Sequence, residues 1–169
     1  ETHLNSGTPV CVGIIDARTL TSLGQVPYRK SRSNIGYQRE LNKSRVAKLA
    51  SALEDGQVDL PTGVLLNLRG YEPNQHRDGD QLKLFSTDEL FLVDGQHRME
   101  ALKLLVSKSE DRWGDFEVPF SCMLGADEDE ELKQFHIVNS TAKSVSTDLS
   151  LDLLKERADG DPALVKLLL

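Results

Sequence analysis

Five consecutive residues, Asp94, Gly95, Gln96, His97 and Arg98, place a carboxylate, an open turn, an amide, an imidazole and a guanidinium at one point of the chain. They lie inside the run FLVDGQHRMEALKLL, residues 91–105. An apolar run ends there in Asp-Gly and a helical pattern begins at once. A strand, a tight glycine turn and a helix bring several unpaired backbone N–H groups together, which suits an anion. Gly95 allows a sharp turn and a close ligand. Gln96 can donate and accept, as reading a base or ribose edge requires. His97, at the positive end of a helix dipole, should favour its neutral form and could serve as donor, acceptor or weak base. Arg98 offers a planar fork matched to phosphate or carboxylate. Asp94 can cap the helix by accepting from the N–H of Gln96 or His97. A cap and a bound phosphate compete for the same donors. Either Asp94 turns out toward a metal or hydroxyl, or it caps while Arg98 and other cations hold the anion.

The elements around this turn follow from apolar spacing and turn residues. Residues 10–15 read as a buried strand, residues 64–68 as a second, and residues 82–85 and 90–93 as a pair flanking a short turn. A helix capped by Asn42 or Ser44 carries Val46, Leu49, Ala50 and Leu53 at helical spacing and ends at Gly56. The helix after Asp94 buries Met99, Leu102, Leu105 and Val106. Residues 116–124 form another strand, and a helix opened by the acidic residues 127–131 carries Leu132, Phe135 and Val138. Residues 21–38 read as a long loop, 69–81 as a hairpin tip or mobile loop, and 139–147 as a polar turn. Helices are expected from about residues 148 and 162 onward. Short strands alternating with helices give an α+β (mixed α/β) domain over residues 1–169. The start at Glu1 and the end on Leu-Leu-Leu lead us to expect a piece of a longer chain.

Composition sets the outer bounds. At 38% apolar and 28% charged residues, the chain has ordinary globular composition, with no run long enough to span a bilayer. The net charge of −7 conceals a basic segment at residues 29–48, which carries +6 and leaves −13 elsewhere. Such a strip can steer an anion to one face of an otherwise acidic molecule. The two cysteines, Cys11 and Cys122, lie in strand-like runs and read as buried free thiols, implying a reducing, cytoplasmic setting. His3, His76 and His136 show no ligand spacing, so no metal site is expected. Walker-type and G-x-S-x-G motifs are also lacking.

The segments GYQRELNKSRVAKLASAL (residues 36–53), VDGQHRMEAL, the strand with VPF and FHIVNSTAKSVS (residues 135–146) resemble, in that order, the DGQHR-domain proteins. These belong to the wider ParB/sulfiredoxin-like superfamily. The resemblance spans most of residues 10–155, and its closest branch is similar to DndB-like proteins tied to DNA phosphorothioation. It implies a small mixed sheet with helices packed around it, and a role in DNA binding and transcriptional control of modification genes. The equivalent turn of sulfiredoxins carries a redox cysteine where this chain has Gln96, so sulfinic acid reduction is not expected. In ParB proteins that turn binds nucleotide phosphates with two basic residues, matched here by His97 and Arg98. By resemblance, the segment holding Gln38, Arg39 and Arg45 lies over the turn, so these join Asp94, Gly95, Gln96, His97 and Arg98 as candidate phosphate or nucleic-acid contacts. Tyr37 could stack on a base. Asn139 reads as a helix end or as a contact to the turn.

Two functional classes follow. The first is a regulatory domain that grips a phosphate of DNA or of a nucleotide, with help from oligomerisation or from the rest of a longer chain. The second is a nucleotide-dependent enzyme performing hydrolysis, phosphoryl transfer or nuclease chemistry. It would use a nucleotide with magnesium, and Asp94, His97 and Glu40 are its only good catalytic candidates.

Overall fold

The computed structural model describes residues 2–28, 36, 38, 41–60 and 62–141. The described residues up to His136 form one compact unit. In chain order the elements are β1 (Thr2–His3), β2 (Pro9–Asp16), α1 (Ala17–Leu23), β3 (Gly24–Gln25), α2 (Lys43–Glu54), β4 (Val64–Arg69) and α3 (Pro73–His76). There follow β5 (Arg77–Asp78), β6 (Gln81–Leu82), β7 (Glu89–Asp94), α4 (Gln96–Lys108), α5 (Glu110–Trp113), β8 (Glu117–Leu124) and α6 (Glu128–Thr141). The expected mixed α+β architecture is present: a six-stranded sheet in the order β1-β2-β8-β4-β7-β3 with helices packed on it. β4 runs parallel to β8, and β3 parallel to β7. The other neighbours are antiparallel. No helix among the described residues is long and apolar enough to cross a membrane.

Strand alternation divides the core. Leu66 and Leu68 of β4, with Leu90 and Leu92 of β7, meet Leu20 of α1, Val46, Ala50 and Leu53 of α2, and Met99, Leu102 and Leu105 of α4. Val93 and Met123 occupy the other face with Leu65 and Phe135. α4 therefore lies against the sheet with α1 and α2 beside it, and its first turn emerges where β7 ends. Fully burying a Leu of this kind stabilises the fold by about 1.5–3 kcal/mol.

Several expectations are corrected. The long loop over residues 21–38 begins as helix instead: Asp16 Oδ1 accepts from Thr19 N–H at 2.8 Å and caps α1. Thr21 and Ser22, whose composition suggested a loop, turn their hydroxyls back onto the carbonyls of Ala17 and Thr19. The strand over residues 10–15 is only partly buried, with Val12 and Ile14 76% and 64% exposed. β1 flanks β2 only at Pro9 and Val10, so the rest of that margin is open among the described residues. Residues 82–85 and 90–93 do not pair. β6 joins β5 in a separate small hairpin, whereas β7 sits between β4 and β3. The helix expected to stop before Asn139 continues to Thr141, and the helices expected from residues 148 and 162 lie outside the described residues.

Candidate functional site

The turn after β7 exists because residue 95 is glycine. Gly95 has φ +106°, and a Cβ there would lie 2.7 Å from Val64 Cγ1. A side chain would thus meet both a left-handed backbone and the core. Gly95 is the N-cap of α4, and no side chain caps the helix.

That arrangement corrects the reading of Asp94 as a cap. Its carboxylate instead accepts from Arg98 Nη2 at 3.0 Å, one helical turn on. Arg98 Nη1 donates to Thr62 O and Thr62 Oγ1, each at 2.7 Å, and to Gly63 O at 2.9 Å. The guanidinium expected to hold an anion is therefore engaged by the protein. It clamps the end of β7 to the segment leading into β4 and holds the turn in shape. Spacing within the motif could not reveal this, because Thr62 and Gly63 lie more than thirty residues upstream; only their carbonyls and a hydroxyl take part.

Gln38, expected to read a base, is 1% exposed. Its amide donates to the carbonyls of Leu92 and Val93. β3 pairs with β7 only at Leu90 and Phe91, so Gln38 occupies the next carbonyls along that margin and anchors the strand that delivers the turn. Tyr28 pairs with Gln38 in an isolated bridge. Burial raises the Tyr28 phenol above its usual pKa, and the charge of Glu100 on α4 adds to this. Arg39, Glu40 and Tyr37 lie outside the described residues. Asn139 sits inside α6.

Gln96 and His97 differ from these neighbours. Gln96 Oε1 and His97 Nε2 are buried atoms without a hydrogen-bond partner among the described residues. Both belong to the uncapped first turn of α4. Burial holds the His97 imidazole below its usual pKa; the positive charge of Arg45 lowers it further and Asp94 acts in the opposite sense. Arg45, in the first turn of α2, thus bears electrostatically on His97. The helix terminus, Arg45 and a neutral imidazole create a positive environment suited to an anion. The amide oxygen of Gln96 calls for a donor. Among the described residues, no group of three or more His, Cys, Asp or Glu side chains could hold a metal.

Among solved structures, the C-terminally truncated chromosome-partitioning protein ParB from Caulobacter crescentus, complexed with CTP-gamma-S, is similar at 14% identity and a TM-score of 0.47. The match covers 87% of this chain and 64% of the ParB chain. None of the curated proteins matches the chain significantly. The family model for DndB, described as DNA-sulfur modification-associated, matches residues 2–169. With the Asp-Gly-Gln-His-Arg turn at its centre and nearly its whole length matched, the chain belongs to the DndB family of DNA-sulfur modification-associated proteins.

Proposed function

We propose that the first turn of α4 binds a phosphate-bearing ligand, DNA in the first instance, and that the domain acts as a regulatory reader within DNA sulfur modification. The observation that carries this reading is the adjacent pair of buried atoms, Gln96 Oε1 and His97 Nε2, which find no partner among the described residues, on a helix start whose N-cap is a glycine. Buried polar groups are nearly always satisfied, so two consecutive exceptions support a bound ligand at this turn. The anion would meet the N–H groups of the turn, His97 and Arg45. A neighbouring hydroxyl or amino group of the same ligand would donate to Gln96. Arg98, Asp94, Gly95 and Gln38 act by shaping the turn, and Arg39 would add charge from the basic segment.

Binding of fluorescent duplex DNA, measured by anisotropy between 50 and 200 mM salt, tests the reading. Phosphate contact predicts a steep linear fall of log affinity with log salt, a loss on the order of 10³ or more for six or more contacts. His97→Ala and Arg45→Ala should each weaken binding severalfold with thermal stability retained. Saturable binding of a mononucleotide without duplex binding would make a nucleotide the ligand. Absence of both at low salt would remove phosphate recognition altogether. The enzymatic reading rests on His97 as a neutral base. Incubation with nucleoside triphosphates and magnesium tests it, turnover lost in His97→Ala being its expected signature.

A further inference from the structure

The chain has two cysteines, and the fold sets them face to face. Cys11 of β2 and Cys122 of β8 are direct partners in the antiparallel register. Both point to the sheet face that carries Ile15, Val118 and Leu124. Antiparallel partners have Cα atoms about 4.5–5.5 Å apart, inside the roughly 4.4–6.8 Å that a disulfide spans, so the register places the pair within reach of a bridge. The Cys122 thiol donates to Met123 O at 3.3 Å, and Cys11 is the largest influence on its titration.

The pair is unequal in access. Cys122 is fully buried, whereas Cys11 is half-buried and lines a cavity of about 690 Å³. The cavity lies between β2 and the β5–β6 arm, with Tyr71, Arg77 and Leu82 on its far wall. The base of that arm is held by His76, whose Nδ1 accepts from Glu72 N–H at 3.0 Å and whose Nε2 meets Asp88 Oδ1 at 3.3 Å. A small polar reagent can reach Cys11 by this route, whereas Cys122 is closed to solvent and does not line the cavity.

We infer that Cys11 and Cys122 form a reversible dithiol–disulfide couple, oxidised by a hydroperoxide that reaches Cys11 through this cavity. The Cys11 thiolate attacks one peroxide oxygen; the O–O bond breaks, Cys11 becomes a sulfenic acid, and the other oxygen leaves as hydroxide, which takes up a proton as water. The Cys122 sulfur then attacks the Cys11 sulfur. The S–O bond breaks, the hydroxyl leaves, and with the Cys122 proton it becomes a second water. Two thiols are oxidised by two electrons and one peroxide is reduced. The hydrogen bond to Cys11, burial and the charge of Cys11 keep the Cys122 thiol protonated well above the usual range, so the first step belongs to Cys11. The bridge ties the margin strand β2 to β8 across a long stretch of sequence, the arrangement in which a cross-link most restricts the unfolded chain.

The test uses the purified protein, treated under native conditions with an equimolar amount of hydrogen peroxide. Remaining thiols are then capped with a maleimide in denaturant before intact-mass and non-reducing peptide mapping. The expected result is a mass lower by two hydrogens, no maleimide uptake, a Cys11–Cys122 cross-linked peptide, a higher melting temperature, and full reversal by dithiothreitol. Uptake of two maleimides overturns the proposal. So does stepwise oxidation of Cys11 to sulfinic acid with Cys122 still capped, or a cross-link only between molecules. Cys122→Ala should accumulate a Cys11 sulfenic acid that dimedone traps. Should that variant fail to fold, Cys11→Ser provides the second check: it must abolish the mass loss and leave Cys122 unoxidised.

Discussion

Two polar clusters lie within the domain and are built on opposite terms. On one sheet face, Glu131 is 0% exposed, yet both of its carboxylate oxygens are occupied: Arg69 donates to Oε1 at 2.8 Å and to Oε2 at 2.7 Å. Asn67 Nδ2 adds a third bond at 2.6 Å, while Asn67 also donates to Ala126 O and accepts from Ala126 N–H. Arg69 stacks over Phe91. This cluster fastens the start of α6 to β4. At the start of α4, by contrast, Gln96 Oε1 and His97 Nε2 are buried and find no partner among the described residues. Folding closed the first cluster completely and left the second open. A buried polar group left unpaired costs about 1–3 kcal/mol, and proteins commonly carry such costs where function needs the group. The difference sets a structural anchor apart from the turn proposed to bind the ligand.

Breaking the closed cluster should have the largest effect. Arg69→Met leaves the Glu131 carboxylate buried without its cation and should cost about 3–5 kcal/mol in chemical denaturation. The double variant Arg69→Met, Glu131→Leu should recover much of that loss. Ligand affinity of the folded fraction should stay near wild type, since the cluster lies away from the α4 turn.

The open cluster should respond in the reverse direction. Gln96→Met removes an unpaired acceptor and replaces it with an apolar side chain of similar size. Stability should hold or rise by about 1 kcal/mol, while affinity for the phosphate-bearing ligand falls. A variant that loses stability together with affinity would instead make Gln96 a structural residue, and the contrast between the clusters would collapse.

The smallest effect is a pH dependence at His97. Its imidazole titrates below the ordinary value near 6.5 in the folded state. The unfolded chain therefore binds the proton more readily, and stability rises with pH across the interval between the folded and unfolded values. Stability is full above about pH 6.5 and declines as pH falls through that interval; His97→Gln should flatten the profile there. An anion bound at the turn favours the imidazolium, so ligand affinity should move oppositely and strengthen as pH falls. Parallel melting and binding series from pH 7.5 to 5.5 would show whether the two curves diverge.

Much of the fold was legible in the sequence because periodicity reports burial. Val46, Ala50 and Leu53, and Met99, Leu102 and Leu105, stand at helical spacing and are buried as that spacing implies. The strand–glycine–helix arrangement around Gly95 was equally legible, since an apolar run broken by Asp-Gly and followed at once by helical spacing marks a tight turn between the two. α1 was missed because threonine and serine in a short segment look alike whether they form a loop or return their hydroxyls to a helix backbone. The pairing of β7 was missed because a strand's neighbours are chosen by the whole sheet, and proximity in sequence favoured the wrong partner.

Within the site, the residue types were readable and their duties were not. Asp94, Gln38 and Arg98 have the chemistry of ligand contacts, and their positions in the chain permit that role. Their partners, the carbonyls of residues 62, 63, 92 and 93 and the Arg98–Asp94 pair itself, are set by where strands end and loops cross. Backbone carbonyls occur at every residue and so leave no mark in a sequence. The sequence by itself determined the family, the helix stripes and the location of the turn, all of which depend on local order along the chain. Tertiary structure alone decided which polar groups are spent holding the turn and which remain unpaired, because hydrogen bonds are assigned by distance in space.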